Sequence, residues 1–146
     1  MKTMHVAVAV ALLCAMPTTF AQTPQSAAWA PQAHHENGVT WVSGGIGKDE
    51  ADAMRALASR YDLRLVMAEA QKPRAAYLAD IAVKITDANG KKVLDIRSKG
   101  PLLFLKLPPG RYTVSADVAG RTLTRAFTVK EGISRQAALI WPAGTA

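Results

Sequence analysis

The stretch Gly100–Gly120, GPLLFLKLPPGRYTVSADVAG, decides the fold class of this chain. Leu102–Leu107 is an apolar run interrupted by Lys106, which is typical of a strand buried on at least one face. Pro108–Gly110 ends that strand, because proline cannot donate to a β-ladder and glycine tolerates the positive φ of a turn. Residues 112–118 then alternate between apolar and polar. The stretch therefore predicts a β-hairpin with one face on a core and the other in water.

The segment LPPGRYTVSA, Leu107–Ala116, resembles the signature hairpin of prealbumin-like (transthyretin-like) sandwiches. In particular it resembles the carboxypeptidase regulatory-like domain of small secreted bacterial proteins, and the resemblance covers Tyr77 to Pro142. In those proteins a similar Gly-Gly-x-Gly segment and a helix precede the domain, as Gly44–Gly47 does here. A Leu-Pro-Pro-Gly-x-Tyr-x-Val turn also occurs in collagen-adhesin B-type repeats. The resemblance therefore implies an architecture more strongly than a function.

Alternating strands and turn residues continue on both sides of this stretch. From Tyr77 onward the pattern predicts six strands separated by turn residues, which is typical of a sandwich. Asp87–Gly90, with the sequence Asp-Ala-Asn-Gly, is predicted to be a hairpin turn. Trp141 is expected to close the open end of the sandwich or to pack beneath a helix.

A strand-helix-strand unit is predicted for residues 39–70. Its strands are Val39–Val42 and Leu63–Ala68, and the second is expected to pair with the first or with the sandwich edge. The helix is expected to have Asp49 as its N-cap and to cover one face or open end of the sandwich with its apolar stripe. The Gly-rich loop before it is interpreted as a structural turn, because acidic residues in the first helical turn would repel a phosphate.

Together these segments predict a mainly β fold. We expect a prealbumin-like antiparallel β-sandwich of about six to seven strands, with one N-terminal helix in the strand-helix-strand unit. The expected organisation is a signal peptide over 1–21, a flexible lead-in over 22–38, the strand-helix-strand unit over 39–70 and the carboxypeptidase regulatory-like sandwich over 77–142. The chain that remains after removal of the leader is long enough to bury one core without disulfides.

Residues 1–21 have the three regions of a secretory signal peptide. Lys2 supplies the positive charge, Val6–Leu13 the apolar run and Thr19–Ala21 a cleavage site, so we expect a periplasmic or secreted protein. The apolar run is too short to span a membrane stably. Cys14, the only cysteine, is preceded by leucine where a lipoprotein signal would carry a small residue, so cleavage is favoured over lipidation. The mature chain would then contain neither a disulfide nor a thiolate nucleophile.

The inventory of catalytic groups is poor, and we predict no enzymatic activity, no cofactor and no metal site. His34–Glu36, with the sequence His-His-Glu, holds the only histidines after the leader and is interpreted as polar linker, because adjacent residues rarely face one ion. The transthyretin-like hydroxyisourate hydrolases that the fold resembles use histidine on the sandwich strands, where this chain has none. No G-x-S-x-G motif occurs. The remaining carboxylate pairs, Asp80 with Asp95 or Asp117, are interpreted as solvated strand ends.

The function that remains is binding. Removal of Lys2 lowers the formal net charge from +7 to +6, which favours anionic envelope partners, although solubility is the simpler interpretation of this charge. We predict a non-catalytic envelope module with a protein or anionic glycan partner, no nucleic acid partner and only peripheral membrane contact. The alternatives are a structural accessory subunit of an envelope complex and, with less support, a transthyretin-like hydrolase. The richest basic set that would share a binding surface is Arg64, Lys91, Lys92, Arg97 and Lys99.

Overall fold

The computed structural model describes residues 28–146, so the predicted signal peptide and Cys14 lie outside the described residues. Within that range the chain forms ten strands, one α-helix and one short 3-10 helix. The helix α1 spans Gly47–Leu57 and the 3-10 helix spans Ala58–Arg60. The strands are β1 (His34–Glu36), β2 (Val39–Gly44), β3 (Leu63–Glu69), β4 (Ala76–Tyr77), β5 (Ile81–Asp87), β6 (Lys92–Ser98), β7 (Leu102–Lys106), β8 (Gly110–Val118), β9 (Arg121–Val129) and β10 (Arg135–Trp141).

The strands form two sheets that pack face to face. Sheet A has the order β1-β2-β7-β3-β10, with β4 also paired to β3, and sheet B has the order β6-β5-β8-β9. All pairs of neighbouring strands are antiparallel except β3 and β10, which run parallel. The predicted mainly β sandwich with one helix is confirmed. The described strands number ten rather than six to seven because β1 to β4 also belong to sheet A.

The stretch around Pro108 connects the two sheets. β7 lies in sheet A, whereas β8 lies in sheet B, so the predicted hairpin between them is wrong. Two prolines in succession cannot donate to a ladder, and the chain crosses between the sheets at that point. The turn is held by the Tyr112 hydroxyl, which donates to the carbonyl oxygen of Pro108 at 2.6 Å.

The strand-helix-strand segment shares sheet A with β7 and β10. β2 and β3 do not pair with each other, because β7 lies between them and pairs with both. On its other side β3 pairs with β10, from Leu63 beside Arg135 to Glu69 beside Trp141. The segment therefore supplies strands on both sides of β7, and only its helix lies outside the sheets.

The main core lies between the two sheets. Alternate residues of both sheets point into it, and Leu65, Leu103 and Ile85 are among those with no exposed surface. Trp141 is also fully buried in this core, and its Nε1 donates to the carbonyl oxygen of Arg121 at 2.8 Å. It does not pack beneath the helix, since the parallel register with β3 directs it to the inner face.

The helix α1 packs on the outer face of sheet A. Met54 is fully buried there in a second cluster with Val42 and Phe104, and Trp29 packs against the same cluster. No helix among residues 28–146 is long and apolar enough to cross a membrane.

The start of α1 differs from the prediction. The N-cap is Ile46 rather than Asp49, and it makes no side-chain cap hydrogen bond. Instead, the Glu50 carboxylate accepts the backbone N–H groups of Gly45 and Ile46 at 3.2 and 3.1 Å. The glycine loop turns these two amides back toward the first helical turn, so Glu50 ties the loop to the helix in the way that the acidic residue of a capping box does.

Two other predicted local features are resolved by the structure. The Asp87–Gly90 turn joins β5 and β6 as predicted, and Asp87 Oδ1 accepts the N–H groups of Asn89 and Lys91, both at 2.9 Å. His34–Glu36, within the segment predicted to be a flexible lead-in, forms β1 and pairs with β2.

Candidate functional site

The outer face of sheet A is covered over only half of its width. α1 covers the half formed by β2 and β7, where Met54 contacts the sheet. The other half, formed by β3 and β10, is less covered: the outward side chains of β10 are exposed, Ile140 to 50%, whereas those of β3 are half-buried or, at Ala68, buried. The side chains that point outward from these two strands are Arg64, Val66, Ala68, Gln136, Ala138 and Ile140.

A groove of about 340 Å³ lies on this open half, between α1 and β10. Its floor is mostly apolar and its rim carries Tyr77 of β4, of which 67% is exposed. Arg55 and Ala58 form the side of the groove next to the helix. The residues of sheet A that line it are Arg64, Val66, Leu102, Phe104, Gln136 and Ala138.

Arg64 is the charged residue on the floor of the groove. In the sheet it lies between Phe104 of β7 and Gln136 of β10. Its Nε is buried and has no hydrogen-bond partner, and none of the four ion pairs among residues 28–146 includes it. A buried donor without a partner costs about 1–3 kcal/mol. The Nε edge of a guanidinium can bind a carboxylate through two parallel hydrogen bonds, so Arg64 is the cation on the groove floor that a carboxylate would bind once its side chain turns to expose that edge.

Arg55 is a second arginine of the groove, but it has an acidic partner. Its Nη1 lies 2.9 Å from Asp52 Oδ1, and Lys48 Nζ lies 2.6 Å from the other oxygen. The hydrogen bond from Lys48 is the main cause that holds the pKa of Asp52 below its usual value. Because these side chains are exposed, the ion pair contributes little stability and leaves Arg55 able to turn toward a ligand.

The strand next to the groove, β10, is the last strand of sheet A. The N–H of Arg135 donates to the carbonyl oxygen of Asp62 at 2.7 Å, and the carbonyl oxygen of Trp141 accepts from Ala70 at 2.8 Å. The odd-numbered residues of β10 therefore direct their backbone groups toward β3. Strand alternation directs the remaining amides and carbonyls to the free edge. These are the backbone groups of Gln136, Ala138 and Ile140.

The structure does not bring the five residues of the predicted basic set together. Arg64 lies on sheet A, whereas the other four lie on β6 of sheet B or in its flanking turns. Lys92 Nζ is 2.9 Å from Asp95, and Arg97 Nη1 is 3.2 Å from Asp80. The hydrogen bond from Lys92 is the main cause that lowers the pKa of Asp95. The two remaining members of the set are Lys91 and Lys99, both exposed.

The histidine pair lies on β1 in two different environments. Successive residues of a strand point to opposite faces, which separates the two rings. His34 stacks on Trp41 with ring centroids 4.4 Å apart, and His35 Nδ1 lies 2.9 Å from the Thr40 hydroxyl. Among residues 28–146 no three histidine, cysteine or acidic side chains form a group that could hold a metal ion.

The one buried carboxylate in the described part of the chain, Glu69, has a structural role. Its two oxygens accept the N–H groups of Gly144 and Ala146 at 2.7 and 2.8 Å. These bonds, first that from Ala146, hold the pKa of Glu69 below its usual value. Asp117, which the sequence offered as one of a carboxylate pair, accepts the N–H of Gly120 and the hydroxyl of Thr122.

Arg64 was predicted from the sequence as a candidate binding residue, but the groove around it was not. Tyr77, Gln136 and Ala138 were not singled out as site residues. The only signal in the sequence for Gln136 and Ala138 is alternation: together with Ile140 they alternate along β10 with the apolar residues that face the core. That signal becomes useful only when β10 is known to lie beside β3.

Comparison with known proteins finds no family model that matches the chain, and no match among curated proteins.

Proposed function

We propose that the protein is a non-catalytic binding module of the carboxypeptidase regulatory-like type, periplasmic or secreted after removal of residues 1–21. We further propose that it binds a protein at the cell envelope through the groove. The observation that carries this proposal is the buried, unpartnered Nε of Arg64 on an apolar floor. A carboxylate of the partner would complete its hydrogen bonds after the Arg64 side chain turns toward the groove, and the apolar surroundings would strengthen that charged contact.

A protein partner fits the groove better than a glycan. Val66, Leu102 and Phe104 offer an apolar floor on which side chains can be buried. Among the lining side chains the polar groups are few, chiefly those of Arg64, Arg55 and Gln136, whereas a sugar needs several hydrogen-bond partners. This balance favours apolar side chains near a carboxylate, which is a combination that a polypeptide supplies.

The proposal that the protein is not an enzyme is supported by the contacts that its histidine and Glu69 side chains make. His34 and His35, the only histidines after the leader, are on β1 and contact Trp41 and Thr40. Both oxygens of Glu69 are bound to backbone amides. These groups stabilise the fold where they stand, which disfavours the alternative of a transthyretin-like hydrolase.

A structural accessory subunit of an envelope complex is the second candidate. The observation that favours it is the set of exposed apolar side chains near the groove: Tyr77, Ile140 and, beside Gly45, Ile46. Together with the free edge of β10 they form a surface that a permanent partner would cover. A subunit of this kind would be found only in a stoichiometric assembly, whereas a binding module would also be found alone.

The test is cross-linking in living cells of the native host. The full-length chain carries a C-terminal tag joined by a flexible linker, and the cross-linked products are identified by mass spectrometry. Arg64→Ala is compared with Arg111→Ala, which removes the same charge from an exposed position on sheet B. We expect one dominant protein with the wild type and with Arg111→Ala, reduced at least about tenfold with Arg64→Ala.

Three outcomes contradict the proposal. A partner retained equally by both variants would show that the groove does not bind it. Recovery of a glycan in place of a protein would overturn the choice of partner. A wild-type protein that captures nothing and runs as a free monomer would overturn the binding function itself. Recovery only within a fixed-stoichiometry complex would support the accessory subunit instead.

A further inference from the structure

Resting on the proposed function, we propose that the partner presents an extended acidic segment, which adds to sheet A as a new strand along the free edge of β10. The edge offers the backbone groups of alternate residues over the length of the strand, and β10 has seven residues. Main-chain hydrogen bonds at such an edge would supply affinity, and side chains on the two faces would supply selectivity.

Arginines flank this edge on both faces of the sheet. On the outer face, Arg64 is the neighbour of Gln136 in the register between β3 and β10. On the inner side, Arg135 of β10 is exposed near the start of the strand. Arg125 of β9 lies opposite the buried Val114 in the register of β8 and β9, so its side chain is on the face of sheet B that is turned toward the core. It is nevertheless exposed, because β9 is an edge strand.

β9, which carries Arg125, packs near β10. The Trp141 side chain bonds to Arg121 at one end of the two strands, and the short turn of residues 130–134 joins them at the other. Arg125 lies between these two connections. Neither Arg125 nor Arg135 belongs to an ion pair within residues 28–146.

Within residues 28–146 no acidic side chain forms an ion pair with Arg64, Arg125 or Arg135. Asp62 Oδ2 accepts the N–H of Leu107 at 3.2 Å, and Glu69 binds the amides of the C-terminal residues. Glu131, in the turn between β9 and β10, is exposed to solvent. The edge thus has positive charge on both faces, which matches a strand with acidic side chains and opposes a basic one.

The same charges exclude two other occupants. A second copy of the chain that paired β10 with β10 would bring Arg64, Arg125 and Arg135 of both copies together at the new strand pair. The chain's own N-terminal residues 1–27, outside the described part, contain no aspartate or glutamate and cannot supply the carboxylate. An acidic segment of another protein is the occupant that fits both the edge and the charge.

The geometry predicts a spacing in that segment. Outward side chains on the new strand recur every second residue, so positions opposite Gln136 and Ile140 are four residues apart, or about 13 Å. The first would carry a carboxylate that reaches Arg64. The second would carry an apolar side chain beside the half-exposed Ile140.

The probe is a library of random seven-residue peptides, the length of β10, displayed on phage and selected on N-terminally biotinylated protein. We expect enrichment of acidic residues with an apolar residue four positions away. The best peptide, made synthetically, should bind at least about tenfold more weakly to Arg64→Ala and to Ala138→Pro than to Arg111→Ala. Ala138→Pro removes an N–H of the free edge, whereas the ladder to β3 uses the odd-numbered residues.

A second measurement covers the case in which Ala138→Pro does not fold. Hydrogen exchange by NMR on the wild type should show peptide-dependent protection of the amides of Gln136, Ala138 and Ile140. Enrichment of non-acidic peptides, no enrichment, or no protection at these three amides would overturn strand addition. So would a wild-type dimer in analytical ultracentrifugation that exchanges slowly at the same amides. These results leave the proposed function standing if the cellular partner still depends on Arg64; loss of that dependence overturns both proposals.

Discussion

Substitution of Leu65 by alanine tests whether residues 39–70 and 77–142 unfold as one unit. Leu65 has no exposed surface and lies on β3 between Leu103 of β7 and Ala137 of β10. A leucine truncated in a core costs about 2–5 kcal/mol, and the neighbouring strands on both sides limit collapse into the cavity. We therefore expect a loss of about 3–4 kcal/mol in the free energy of unfolding, out of a total of about 5–15 kcal/mol. The melting temperature should fall by about 10–15 °C.

Urea unfolding followed by circular dichroism and by tryptophan fluorescence measures this change. Both probes should shift together and with an unchanged slope, because β2, β7 and β3 are neighbours in one sheet. Val66→Ala is the control, since Val66 lies on the same strand but points to the outer face. Its effect should be less than half that of Leu65→Ala. Two separate transitions, or a loss below about 1 kcal/mol for Leu65→Ala, would refute the single core between the sheets.

Three further substitutions test particular contacts. Gly100→Ala should lower the free energy of unfolding by about 3 kcal/mol or more in urea titrations, because a Cβ there would overlap the backbone carbonyl of Gly44; a neutral effect would contradict this close approach. Tyr112→Phe should cost about 1 kcal/mol in the same assay through loss of the hydrogen bond to Pro108, and no change would mean that this bond does not hold the turn. Glu69 has a lowered pKa in the folded state, so its stabilisation is present at neutral pH and is lost as the pH falls through that pKa, below 4.5. Glu69→Gln should therefore be less stable than the wild type at neutral pH and should lose less stability on acidification, as measured by melting temperature against pH; parallel curves would contradict the role of the carboxylate.

Local pattern was enough to predict the elements of this fold but not all of their neighbours. An apolar run and an alternating segment located the strands on the two sides of the Pro108–Gly110 turn, and turn residues located the turn at Asp87–Gly90. The pattern of Leu102–Leu107 and residues 112–118 is the same whether two strands pair or face each other across a core. The two prolines end the first strand in either case, so the sequence did not distinguish a hairpin from the crossing between sheets that is found.

The predicted basic set also shows that local pattern does not give the neighbours of a residue in space. Four of its members are near one another in sequence and lie on or beside β6. Arg64 was grouped with them, although β3 belongs to the other sheet. Its neighbour in space, Gln136, is far away in sequence. The two residues are neighbours because β3 and β10 pair in parallel, and the sequence of neither strand indicates this pairing. A contact of this kind depends on the order of strands in the sheet, which the period of a single strand does not contain.

The existence of the groove follows from the sizes of the elements. A helix with its side chains is about 10–12 Å wide, and strands in a sheet are about 4.8 Å apart, so one helix covers about two strands. Sheet A has four long strands in the order β2, β7, β3, β10, and α1 lies over the first two. The helix therefore leaves β3 and β10 without a covering helix, and the outward side chains of β10 are exposed. If this face only contacted solvent, its outward positions would be occupied mainly by charged and polar residues. Instead they include Val66, Ala138 and Ile140, which surround an arginine whose Nε has no partner. The residues on the open half, rather than the opening itself, are therefore the reason to place binding there.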